Sequence, residues 1–66
     1  MVERTIMTRR VGARTVDGVP QLWVDFDGGP KFYRVRPNVW RTPLGDTLQP
    51  DWTPSEGEVS AHLRNA

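Results

Sequence analysis

The chain has no cysteine, one histidine, a single lysine and no apolar run near the ~18 residues that span a bilayer. Without cysteine, neither a disulfide framework nor a thiolate zinc site can staple so short a fold. One histidine and no cysteine support no metal site, and no cofactor motif is present. No apolar core follows Met1 in the manner of a signal peptide, so a cytoplasmic protein without membrane contact is expected. Charge of neither sign dominates. Nine Lys and Arg against eight Asp and Glu leave a formal +1, which weighs against strong non-specific nucleic-acid binding.

What is present is arginine, glycine, proline and tryptophan. Eight arginines stand against the single Lys31. Their planar forks suit carboxylates, phosphates and aromatic faces alike. Residues 1 to 66 make one small β domain, short enough that tight packing around its aromatics, or self-association, has to supply stability. No internal repeat or linker divides it.

Asp17-Gly18, between Val16 and Val19, is a strong hairpin signal, because a type I′ turn needs positive φ at both central residues. Pairing Val16 with Val19 sets Ala13 opposite Leu22 and Val11 opposite Val24. Gly12 invites a bulge in the first strand. Asp27 to Pro30 then reads as a four-residue loop that sets Phe26 opposite Lys31, Val24 opposite Tyr33 and Leu22 opposite Val35.

One face of this meander collects Val11, Ala13, Leu22, Val24, Phe26, Tyr33 and Val35 as a core. By the period of two, the other holds Arg10, Arg14, Trp23, Asp25, Phe32, Arg34 and Arg36. Two further short strands, 39 to 42 and 47 to 49, are expected around a turn at Pro43 to Asp46. The expected fold is therefore mainly β: a small SH3-like barrel, or a strongly bent antiparallel sheet, of about five short strands with one short C-terminal α-helix. That helix is expected over about 54 to 64, with Thr53 and Glu56 as a capping box and Pro54 in its first position.

Chemistry-bearing patterns are few. "DFDGG" has the alternating acids of a calcium loop, but counting from Asp25 its twelfth position is Arg36, where a bidentate glutamate is required. His62 reads as a helix cap or packing residue, and Ser55 and Ser60, the only serines, have no turn that would present a nucleophile to it. Glu56 and Glu58 point apart on a helix. No catalytic residues are assigned, and the expectation is that the protein is not an enzyme.

The mixed basic and aromatic face has two readings. It is a binding surface, or a second core layer in which Trp23 and Phe32 are covered by the helix or by the 37 to 52 segment. A tryptophan has about 200 Å2 to bury, so one of the three is expected to stay exposed. Trp40, beside Arg41, is the candidate anchor. The leading expectation is a small protein-binding module, of the accessory or phage-encoded kind, that acts through Trp40, Arg41, Trp23 and Phe32 on another protein or on copies of itself. The alternatives are a nucleic-acid binder that places Arg10, Arg14, Arg34 and Arg36 on phosphates, and a structural subunit of a larger assembly.

Overall fold

Asp17 and Gly18 take left-handed backbone angles, φ 52° and 79°, and join the two longest strands of a computed structural model that describes residues 7 to 65. Strands β1 (Arg9–Val16) and β2 (Val19–Phe26) pair without interruption from Val16 opposite Val19 to Arg9 opposite Phe26. Ala13 meets Leu22 and Val11 meets Val24, as the type I′ turn requires. No bulge forms at Gly12, which stands squarely opposite Trp23.

The second connection departs from expectation. Asp27 and Gly28 are again left-handed, φ 54° and 71°, and the Gly29 amide donates to the Phe26 carbonyl at 2.9 Å. That turn closes Phe26 against Gly29, and Pro30 and Lys31 then span the one position of Asp25, so the pairing runs one residue short of the register that the expected four-residue loop would give. Strand β3 (Phe32–Arg36) consequently sets Phe32 opposite Val24 and Tyr33 opposite Trp23. A slip of one residue turns over every side chain of a strand. Phe32 and Arg34 therefore face the core side, and Tyr33 and Val35 do not, which reverses the expected assignment of all four.

Strand β4 (Val39–Arg41) follows a two-residue turn in which Asn38, φ 65°, sits after Pro37. A bulge between Arg34 and Arg36 sets Arg34 opposite Trp40 and Arg36 opposite Val39. The described residues thus form one antiparallel sheet in the order β1-β2-β3-β4, not closed into a barrel. The expected fifth strand is reduced to a bridge between Arg41 and Thr47 and one bond from the Leu48 amide to the Trp40 carbonyl, 2.9 Å. A turn from Thr42 to Gly45 precedes it, and Pro50, which has no amide to donate, follows it. Too little chain lies between them for a ladder.

Helix α1 (Glu56–Arg64) is capped by Ser55, whose Oγ accepts from the Glu58 amide at 3.1 Å. The capping pattern is Ser55-x-x-Glu58, two residues later than expected. Thr53 closes the preceding 3-10 turn (Pro50–Trp52) instead, its hydroxyl donating to the Pro50 carbonyl at 2.8 Å. Pro54 and Val59, both buried, occupy the two positions of a hydrophobic staple around the cap.

The helix lies on one face of the sheet and closes a core of Leu22, Val24, Trp40, Leu48 and Val59, flanked by Val11, Phe26 and Phe32. Trp40 is 0% exposed, so it is a core residue and not the exposed anchor expected of it. The cause is the register: as the partner of Arg34, Trp40 follows it onto the core side. The exposed tryptophan is Trp52, at 43%, with its ring edge-on to Phe26 at 5.4 Å. Arg34 joins Glu56 at 2.8 Å and Arg9 joins Glu58, which ties β3 and β1 to the first turn of α1. Each such surface pair contributes about 0–1 kcal/mol.

Candidate functional site

The face of the sheet opposite α1 is built on the glycine at position 12. A Cβ there would lie 2.4 Å from Cζ2 of Trp23, so the indole rests directly on the backbone of β1. Two cations lean over that indole: Lys31 Nζ lies 4.7 Å from its centroid and the Arg10 guanidinium 5.9 Å. Beside it, the Arg14 guanidinium lies 3.6 Å from the centre of the Tyr33 ring. Such an exposed contact contributes about 0.5–1 kcal/mol.

Gln21 holds the stack in place. Its Oε1 accepts from Arg14 Nε at 2.9 Å, and its Nε2 donates to the Arg34 carbonyl at 3.1 Å. One amide thus spans β1 and β3 where their ladders to β2 diverge. Arg10 donates from Nε and Nη2 to the two oxygens of Asp25, at 3.2 and 2.8 Å. Asp25 is only 1% exposed, yet hydrogen bonds from Arg10 hold its carboxyl below the usual carboxylate range, against the opposing effect of burial. The charges of Arg10 and Lys31 act in the same direction. Asp25 is therefore ionised, and its charge is matched by Arg10.

The balance on this face is uneven. Tyr33 stands opposite Arg41, which adds a further exposed cation. Arg10, Arg14, Lys31 and Arg41 then accompany a single carboxylate, and among the described residues only Arg10 of the four is in an ion pair. Glu56 and Glu58 are engaged on the helix side, and Asp17, Asp27, Asp46 and Asp51 lie outside the strands. A chain of net charge +1 therefore carries a distinctly basic sheet face.

Of the residues singled out from the sequence, the structure brings Trp23, Arg10, Arg14 and Arg41 to this face. It sends Phe32, Arg34 and Trp40 to the core side, away from this face. Arg36 is exposed beyond the bulge, opposite Val39. Tyr33, Lys31, Gln21 and Gly12 were missed. The signal for Gly12 was its cross-strand partner, since a glycine opposite a tryptophan leaves a ring-sized gap to fill. Tyr33 and Lys31 could be found only by reading Asp27-Gly28 as a closed turn of its own.

A second feature lies where the β1–β2 hairpin runs past the helix. Val16, Val19, Leu22, Val59, Leu63 and Arg34 are among the residues lining a groove of about 310 Å3. Val19 is 62% exposed and Val16 and Leu63 are half-exposed. His62 is half-buried in the last turn of the helix. Among the described residues no three His, Cys, Asp or Glu side chains gather as metal ligands would, and no helix is long and apolar enough to cross a membrane. No family model, curated protein or solved structure matches this chain.

Proposed function

We propose that this chain is a non-enzymatic binding module whose working surface is the cation–aromatic face of the sheet and whose partner is nucleic acid. The observation that carries the reading is the grouping of Arg10, Arg14, Lys31 and Arg41 around Trp23 and Tyr33, with Asp25 already matched by Arg10. Cations beside aromatic rings on an open sheet face combine phosphate attraction with flat surfaces for bases. The near-zero net charge does not oppose this, because most of the acids lie elsewhere. The burial of Trp40 removes the anchor on which a protein-binding preference rested.

The test is a fluorescence anisotropy titration with a labelled oligonucleotide of about 12 nucleotides, within the site size of a small β domain. Binding should weaken with salt, with a log–log slope near −2 if three cations each neutralise one phosphate on a single strand at about −0.7 apiece. A triple variant, Arg14→Ala, Lys31→Ala and Arg41→Ala, should abolish it. Salt-insensitive binding, or none at low salt, would defeat the proposal.

Protein binding is the second reading, and the groove is the observation that favours it. Val16, Val19 and Leu63 present apolar surface beside Arg34 and the helix, where a partner side chain could insert. A Val19→Asp variant that retained oligonucleotide binding while losing a protein partner would separate the two surfaces.

A further inference from the structure

We infer that the Arg14–Tyr33 stack is a base-stacking platform, so that the preferred ligand of the sheet face is an unpaired nucleic-acid strand and not a duplex. The inference rests on the nucleic-acid reading above and deepens it. Three features of Arg14 carry it. Its guanidinium carbon lies over the Tyr33 ring, 3.6 Å from the centroid, its Nε is tied to Gln21 Oε1 at 2.9 Å, and among the described residues no carboxylate pairs with it.

An arginine recruited only for charge gains nothing from being held over a ring, because a phosphate can be met from many angles. Clamping removes rotamer freedom that would otherwise be lost on binding, and the side chain stays exposed to a ligand. A base can stack on the guanidinium plane while a terminal N–H reaches a phosphate or a base edge. The bases of a duplex are stacked on one another and offer no free π face, so only an unpaired strand uses the platform.

The surrounding cations fit the same division. Arg10 and Lys31 stand over the indole of Trp23, and Arg41 lies opposite Tyr33 on the far strand. The aromatic row Trp23–Tyr33 is thus bordered by positive charge at the β1 side, the loop end and the β4 side. A single strand laid along that row meets cations with its phosphates and planes with its bases. The arrangement supplies no base-edge reader apart from Gln21, both ends of which are already hydrogen-bonded, so sequence preference should be weak.

The experiment compares three probes under the same buffer conditions: a fluorescein-labelled single strand, the same strand annealed to its complement, and inorganic polyphosphate as an unlabelled competitor. The wild-type protein should bind the single strand roughly tenfold more tightly than the duplex at moderate salt. Arg14→Lys, which keeps the charge but not the plane, should erase that preference, and polyphosphate competition measured against the duplex should be unchanged. Tyr33→Leu should do the same and Tyr33→Phe should not, with thermal midpoints confirming that each variant is folded. Equal binding of both forms, unaffected by Arg14→Lys, would overturn the platform and leave the polyanion reading intact. No binding of any probe at low salt would overturn both.

Discussion

Trp40 and Trp23 lie on opposite sides of one sheet and are held by different physics. Trp40 is enclosed by the apolar layer that α1 closes, and its indole Nε1 has no hydrogen-bond partner among the described residues. An unpaired buried donor costs about 1–3 kcal/mol, so packing has to exceed that for the ring to stay there. Trp23 instead rests on a bare glycine, half-buried, with the side chains of Arg10 and Lys31 over its ring. Cations can leave a ring when a ligand arrives; a helix-covered core cannot open without unfolding. The core side stabilises, and the cationic side is the one proposed to bind.

The largest expected effect is on the core side. Trp40→Ala should destabilise by about 3–5 kcal/mol, a large part of the total stability of so small a domain, and leave much of the chain unfolded in a urea titration. Trp23→Leu should shift the same midpoint far less while weakening oligonucleotide binding. If both variants unfolded alike, the division between the faces would not hold.

Gly12→Ala comes next. A methyl group at 2.4 Å from the indole has to displace it, at about 1–3 kcal/mol, and should alter Trp23 fluorescence as well as stability. Wild-type stability and emission in that variant would show that the ring does not depend on the glycine. At the helix, Ser55→Ala should cost about 1 kcal/mol through loss of the cap, and Thr53→Ala about half as much, since Thr53 bonds only the exposed Pro50 carbonyl. The reverse order in thermal melts would restore Thr53 as the cap.

The smallest effect is a pH dependence. Asp25 is held below its ordinary carboxylate value first by the hydrogen bonds of Arg10. Its contribution is therefore complete above the unfolded value of about 3.9 and fades as pH falls through the lowered folded value. The stability difference between wild type and Asp25→Asn should be constant near neutral pH and shrink below about pH 4. A difference that grows in acid would mean that Asp25 is protonated in the folded protein.

Turns with an obligatory backbone angle were legible in the sequence, and what depended on counting through a loop was not. Asp17-Gly18 correctly predicted the whole β1–β2 register, because a two-residue type I′ turn leaves no freedom in pairing. In "DGGP" the same Asp-Gly chemistry recurs, but three more residues, Gly29 to Lys31, follow before the strand, and nothing local decides which of them pair. Hydrophobicity pointed to the wrong alternative, since Tyr33 with Val35 is more apolar than Phe32 with Arg34. Arg34 is accommodated on the core side by lying along the groove and reaching Glu56, which a pattern of apolar and polar letters cannot show. From that single slip follow the burial of Trp40 and the transfer of Tyr33 to the cationic face. The helix start failed differently: Thr53-x-x-Glu56 and Ser55-x-x-Glu58 both satisfy the capping pattern, and the side chain that buries at the staple, Val59, selects the second.

The three tryptophans make the division of the sheet directly observable, because each indole N–H gives its own signal in a proton–nitrogen correlation spectrum and each reports a different region. On titration with a single-stranded oligonucleotide, the Trp23 indole should shift together with the amides of Gly12, Arg14 and Tyr33. The Trp40 indole should stay in place and exchange slowly with deuterium. Shifts confined to Val16, Val19 and Leu63, with Trp23 unmoved, would contradict the account and assign binding to the groove.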